Sequence, residues 1–211
     1  MLPPFPTDFP PRMTFRRISI IAAAVLLFGA LAVTTARAQS TVGDFTLKTA
    51  ANADVSLSSY AKSKAVVVVF VNPTCAFSKL YQNRLNELKS RYGSRGVEFL
   101  FINAPINLEA SAETDVEKLK VKTTGTELAY LTDEDHKAST LLGATKTPEA
   151  FLLVPAGNGF VVRYKGAIDD NAQVESYVKE QYLALALDNI LAGKPAGVTD
   201  KRAAGCLIKK F

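Results

Sequence analysis

Residues Ala65–Val71 are seven consecutive apolar residues, five of them valine. A half-buried strand alternates apolar and polar side chains. An unbroken β-branched run of strand length belongs to a strand covered on both faces. The chain must therefore fold in layers, with apolar elements packed on either side of a central sheet. The run leads into Asn72-Pro73-Thr74-Cys75-Ala76-Phe77-Ser78. Phe77, Leu80, Tyr81, Leu85, Leu88 and Tyr92 then recur at helical spacing. Cys75 thus stands where a buried strand turns into a helix. Such a turn aims backbone N–H groups and the positive end of the helix dipole at the thiol. That favours thiolate, the reactive form. Redox chemistry is the expectation for Cys75, and an inert buried cysteine is the alternative.

The remaining elements follow from the same signals. Val42–Leu47 and Ala53–Leu57 read as short extended pieces. Gly93 and Gly96 close the helix after Cys75, and Val97–Asn103 is the next strand, so strand, helix and strand make a parallel βαβ unit. A polar helix is predicted over Ala112–Val121 and a strand over Leu128–Leu131. Asp133 or Asp135 caps a short helix that runs through Leu142 and closes at Gly143. Glu149–Val154 and Phe160–Lys165 flank the turn Pro155-Ala156-Gly157-Asn158-Gly159, a hairpin signal. A long helix is predicted from Asn171 to about Leu191, with Val174, Tyr177, Val178, Tyr182, Leu185, Ile190 and Leu191 inward; Gly193 and Pro195 stop it. Asp169, Asp170 and Asn171 read as its caps, His136 as a surface histidine, and Tyr60, Tyr81, Tyr92 and Tyr130 as core edge. The tail after Ala196 has little periodicity.

Arg16 and Arg17 precede the apolar stretch Ile18–Val33, which closes on Ala36-Arg37-Ala38. A basic start, an apolar centre and an A-x-A site make a secretory signal peptide, with cleavage expected after Ala38. An uncleaved membrane anchor is the alternative, because the run approaches spanning length. Met13 reads as the start of translation behind a proline-rich opening. Without residues 1–38 the chain has 173 residues, one ordinary domain spanning 39–211, and its net charge falls from +5 to +2. No basic face of the kind that binds nucleic acid is present. Lys194, Lys201, Arg202, Lys209 and Lys210 do crowd the tail around Cys206.

Export bears on the cysteines, because disulfides persist outside the cytoplasm. Cys75 and Cys206 are the only two, and in an exported domain they are most simply one intramolecular pair. Two cysteines and one histidine, far apart, lack the close spacing of a zinc site, so neither metal nor cofactor is expected.

A parallel βαβ half followed by a hairpin and a terminal helix is the thioredoxin topology. The chain resembles the thioredoxin-like superfamily, and within it the redoxin branch of alkyl hydroperoxide reductase and thiol-specific antioxidant proteins. Val42-Gly43-Asp44-Phe45 with Ser56-Leu57-Ser58-Ser59-Tyr60 resembles the redoxin N-terminal β-hairpin extension. Gly143-Ala144-Thr145-Lys146-Thr147-Pro148-Glu149 resembles the segment that bears the fold's cis-proline. Tyr164–Asn171 and Gly205-Cys206-Leu207-Ile208-Lys209 resemble an exported peroxiredoxin-like subgroup. The resemblance implies an α/β thioredoxin fold, with the backbone of Thr147 before cis-Pro148 offered to a substrate beside Cys75. Thr74 and Ser78 are the further candidate substrate contacts, and Ser78 is a candidate hydrogen-bond donor to the Cys75 thiolate.

Two departures matter. The dithiol Cys-x-x-Cys is replaced by Cys75-Ala76-Phe77-Ser78, so no local disulfide can form. The peroxidatic Pro-x-x-x-Thr/Ser-x-x-Cys is absent, because Pro73 and Thr74 stand too close to Cys75. The leading expectation is a periplasmic or otherwise extracytoplasmic thiol–disulfide oxidoreductase. Cys75 is its nucleophile and Cys206 its resolving thiol, acting on a protein or small-molecule thiol or disulfide. Two alternatives stand beside it. One is an antioxidant thiol peroxidase, in which Cys206 condenses with a Cys75 sulfenic acid. The other is a non-catalytic domain stapled by a Cys75–Cys206 bond.

Overall fold

A computed structural model describes residues 41–107, 130–198 and 200–210. In chain order the strands and helices are β1 (Thr41–Val42), β2 (Thr46–Thr49), β3 (Asp54–Ser56), β4 (Ala65–Val71), α1 (Ala76–Leu80), α2 (Gln82–Gly93), β5 (Val97–Asn103), β6 (Tyr130–Thr132), α3 (Lys137–Leu142), β7 (Lys146–Thr147), β8 (Glu149–Ala156), β9 (Gly159–Gly166), α4 (Tyr182–Leu191) and β10 (Cys206–Leu207). Eight strands form one mixed sheet in the order β1-β9-β8-β4-β5-β6-β2-β3, and β10 pairs with β7 in a second, two-stranded ladder. The α/β thioredoxin-like fold expected from the sequence is present.

The valine run explains the layering. β4 lies between parallel β5 and antiparallel β8. Its side chains alternate between two apolar layers. Val67, Val69 and Val71 pack in a cluster with Tyr81, Leu85 and Tyr92 and with Leu183, Ala184 and Leu187 of α4. Val66, Val68 and Phe70 belong to an opposite cluster with Phe45, Leu57, Ala138, Leu142 and Phe160. Every residue of β4 is buried, so an unpaired polar side chain anywhere along it would cost its full desolvation penalty.

Several expectations are corrected. The segment Val42–Leu47 is not one extended piece. Val42 pairs with β9 at one edge of the sheet, whereas β2 pairs with β6 near the other. Phe45 is buried between them, in the apolar layer on that face. The helix after Cys75 is interrupted at Tyr81, which divides α1 from α2. The inward stripe runs through Ser78, Tyr81, Leu85 and Tyr92, and Leu80, expected inward, lies off it and is 48% exposed.

The terminal helix begins at Tyr182, not at Asn171. Side chains hold the preceding residues in a loop. Asp169 Oδ1 accepts from the Asn171 N–H, Asn171 Oδ1 from those of Gln173 and Val174, and Asp170 Oδ1 from that of Lys179. Such local bonds offer the backbone an alternative to helix. Val174 and Tyr177 are consequently exposed. Within α4 the inward residues are Leu183, Ala184, Ala186 and Leu187, and Leu185 faces out.

His136 is buried rather than on the surface, with a left-handed backbone (φ +54°) at the start of α3. Of the two candidate caps it is Asp133 that acts: its carboxylate accepts from the N–H groups of Ala138 and Ser139. Tyr81 and Tyr92 lie in the core, not at its edge. The helix expected over Ala112–Val121 lies outside the described residues, as do the signal segment 1–38 and residues 128–129.

Candidate active site

The site is built on the C-terminal end of β4. The Asn72-Pro73-Thr74 turn that follows is organised by Asn72. Its side-chain oxygen accepts from the N–H of Thr74 (2.9 Å) and from the Thr74 hydroxyl (2.6 Å), while its amide group donates to the Ala104 carbonyl (2.9 Å). The Cys75 N–H returns to the Asn72 carbonyl at 3.1 Å. Cys75 thereby takes the N-cap position of α1, the position the sequence indicated. It is wholly buried.

Cys206 is brought to it by the tail. β10 runs antiparallel to β7, with Cys206 opposite Thr147 and Leu207 opposite Lys146. Cys75 and Cys206 form a disulfide with a Cα–Cα separation of 6.0 Å, inside the ordinary range. The two cysteines are 131 positions apart in sequence. The Thr147–Pro148 peptide is cis. The Thr147 carbonyl oxygen lies 3.1 Å from Cys75 Sγ. In the disulfide this sulfur carries no proton, and on reduction a Cys75 thiol has that oxygen within reach as acceptor.

Two flanks hold the tail. On one side the Ile208 N–H donates to the Thr145 carbonyl (3.0 Å). On the other, the N–H of Asn107 donates to the Leu207 carbonyl (2.8 Å) and that of Lys209 to the Pro105 carbonyl (2.9 Å). Leu207 is 57% exposed, whereas Ile208 is buried with Ala104, Leu142 and Ala144. Arg202, Lys209 and Lys210 are exposed along the same tail.

The structure thus brings Cys75, Cys206, Thr147 and Pro148 together. Thr74 is exposed at the lip of the turn, its hydroxyl committed to Asn72. Ser78 is buried, and its oxygen accepts from the Asn72 N–H at 3.2 Å, so it supports the turn beneath Cys75. Glu149 was not singled out from the sequence. Its buried carboxylate accepts from the N–H groups of Thr145 (2.7 Å) and Lys146 (3.2 Å) and fastens the loop that carries Thr147 and Pro148. Asn72 was also missed, although an Asn-Pro dipeptide after a strand is a turn signal.

Asp169, expected as a helix cap, instead pairs with Arg84 at 2.6 Å, with both side chains buried. A cavity of about 320 Å³ beside this pair is lined by Arg84, Glu87, Arg91, Asp169 and Glu175 among others, and by neither cysteine. Among the described residues no cluster of His, Cys, Asp and Glu has the makings of a metal site.

The model of the AhpC/TSA family matches residues 38–176. That stretch includes Cys75, Thr147 and Pro148 and stops short of α4 and Cys206. Two solved structures are similar over most of their length. A hypothetical protein from Sinorhizobium meliloti 1021 is 28% identical, with a TM-score of 0.70 over 82% of this chain and 94% of that one. An uncharacterized conserved protein from Geobacillus kaustophilus is 27% identical, with a TM-score of 0.69 over 82% of this chain and 92% of that one. No curated protein matches.

Proposed function

This chain belongs to the AhpC/TSA family, and on that premise we propose that it is an exported thiol–disulfide oxidoreductase with Cys75 as nucleophile and Cys206 as resolving thiol. One observation carries the reading: the bond joining the two cysteines lies against the Thr147 carbonyl, where a tail strand is already paired to the residue before cis-Pro148.

In the reduced protein the Cys75 thiolate attacks one sulfur of a substrate disulfide. The second substrate sulfur leaves as a thiolate, and a mixed disulfide remains on Cys75. The Cys206 thiolate then attacks Cys75 Sγ, which closes the internal bond and releases the first substrate sulfur. Two electrons have passed from the protein to the substrate, and a thiol reductant of the exported compartment returns them. Run in reverse, the oxidised protein introduces a disulfide into a substrate dithiol. The N-cap position favours the Cys75 thiolate. Thr74, Thr147 and Pro148 flank the substrate, and Ser78 stiffens the turn. The Arg16-Arg17 pair, the apolar run Ile18–Val33 and Ala36-Arg37-Ala38 support export into an extracytoplasmic compartment, with residues 1–38 as the removable signal.

Family membership also favours a second reading, peroxide reduction. The Cys75 thiolate would attack the peroxide O–O bond, release an alcohol or water and become a sulfenic acid. Condensation with Cys206 would release water and form the same disulfide. The missing peroxidatic motif weighs against it, as does Arg84, whose guanidinium is spent on Asp169 and on the carbonyls of Asn171 and Ala172.

The decisive experiment is turnover of a model protein disulfide by the native chain and by Cys75→Ser. The native chain turns over and Cys75→Ser is inactive while keeping its fold; activity retained in Cys75→Ser overturns the proposal. Stopped-flow oxidation of reduced Cys75 by hydrogen peroxide separates the two chemistries. A rate no faster than that of free cysteine excludes a dedicated peroxidase.

A further inference from the structure

The tail does more than deliver Cys206. Residues 205–209 lie as an extended segment in a slot with hydrogen-bonding backbone on both sides, Thr145–Thr147 on one and Pro105–Asn107 on the other. Each position meets a different constraint. At Gly205 an added Cβ would overlap the Thr147 carbonyl oxygen, so the residue before the cysteine has room for hydrogen only. At Cys206 the sulfur meets Cys75. At Leu207 the side chain points to solvent, 57% exposed. At Ile208 it is 6% exposed and belongs to the apolar layer with Ala104 and Ala144. Backbone pairing supplies general affinity for an extended peptide, and alternate side-chain pockets supply selectivity.

We infer that the tail is a resident copy of the segment this site recognises: an extended stretch of a partner protein with the sequence glycine, cysteine, any residue, apolar residue. The inference rests on the exchange chemistry of the preceding section and adds the substrate's sequence to it. A partner segment enters when the internal bond is reduced and residues 205–209 lift from the slot. Its cysteine, held as a disulfide, takes the place of Cys206 opposite Thr147. Cys75 attacks that sulfur, and the partner's other sulfur leaves as thiolate. The glycine requirement separates this site from one that accepts any exposed disulfide.

The test uses the full chain carrying Cys206→Ser, in which Cys75 is the only thiol. The probes are peptides matching residues 203–209, each with its cysteine joined to glutathione. One peptide is unaltered, and the others carry Gly205→Ala, Ile208→Asp or Leu207→Asp. Glutathione release gives the rate of mixed-disulfide formation. The unaltered and Leu207→Asp peptides are expected to react within about threefold of each other, and the Gly205→Ala and Ile208→Asp peptides at least tenfold more slowly. Equal rates for all four overturn the inference and leave the exchange chemistry standing. Failure of Cys75 to react with any of them, or with glutathione disulfide, overturns both. Should Cys206→Ser not hold its fold, the same peptides are run against the native chain, reduced and freed of reductant. Glutathione release there, less that given by a reduced Cys75→Ser chain, reports the same first step.

Discussion

Asp169 accepts from three donors inside the core: the Tyr81 hydroxyl at 2.6 Å, the Arg84 guanidinium at 2.6 Å and the Asn171 N–H at 3.0 Å. The Arg84 guanidinium also stacks on the Tyr81 ring, 3.9 Å from its centroid. Burial, and then the neighbouring carboxylate, push the Tyr81 phenol well above its ordinary pKa, so it stays a donor at any working pH. The network ties the α1–α2 break to the loop after β9. Asp169→Ala leaves a buried guanidinium without its counter-charge and should cost about 3–5 kcal/mol in denaturant unfolding. A double variant, Arg84→Met with Asp169→Leu, should lose far less, because no uncompensated charge remains. If the single and double variants lose the same amount, the pair is not the reason for the loss. The sequence did not disclose this network. Asp169 precedes Asp170 and Asn171, a run that reads as a cap, and only packing places it 85 positions away against Arg84.

At the scale of elements, α2 and α4 are clamped by charge. Arg95 and Arg91 of the α2 end approach Asp188 of α4 at 2.7 and 3.5 Å. Partial burial pushes the Asp188 carboxyl up, but the Arg95 hydrogen bond, the Tyr92 hydroxyl and the two guanidinium charges outweigh it and hold the group below its ordinary value. A depressed folded pKa contributes stability that is fully present above the unfolded value, about 3.9. That stability disappears as pH falls through the folded pKa. The melting temperature of Asp188→Asn should therefore fall less steeply below pH 4 than that of the native chain, with the two curves parallel from pH 5 to 7. Curves parallel throughout would remove this clamp from the account of acid stability. Elements differ in how legible they are. β4 and the turn at Cys75 announce themselves through local signals, a valine run and Asn-Pro. β10 does not, because a strand of two residues has no periodicity and is defined by the β7 edge it meets. The start of α4 is hidden for a different reason, since side-chain bonds from Asp169, Asp170 and Asn171 override residues spaced as a helix would space them.

Across the whole molecule, the internal disulfide joins residues 131 positions apart and encloses every element after β4, leaving β1–β4 outside the loop. In the chain-entropy model a closure of this length is worth roughly 5 kcal/mol, though native-state effects commonly reduce it. Reduction should lower the unfolding free energy in denaturant titrations by an amount approaching that figure, with the transition still cooperative. No shift on reduction would mean the bond does not constrain the unfolded chain, and the staple reading would fall with it. The overall architecture was readable because both faces of one central strand are covered, a demand written into consecutive residues. The pairing of the two cysteines was read from their number and the export signal; the strand that carries Cys206 came only with the structure.

The tail's position between two flanks has an isotopic consequence. The amide hydrogens of Asn107, Ile208 and Lys209 are held by bonds that cross the slot, whereas those of Val66–Phe70 lie in the middle of the eight-stranded sheet. Deuterium should enter the first group soon after the sulfur–sulfur bond is cut and leave the second untouched, since opening free energies differ between a sheet centre and a peripheral strand. Mass shifts in peptides covering 105–107 and 207–209 then count oxidised and reduced molecules in a mixture without touching a thiol. Uniform deuterium uptake across both groups would mean that the slot and the core open as one.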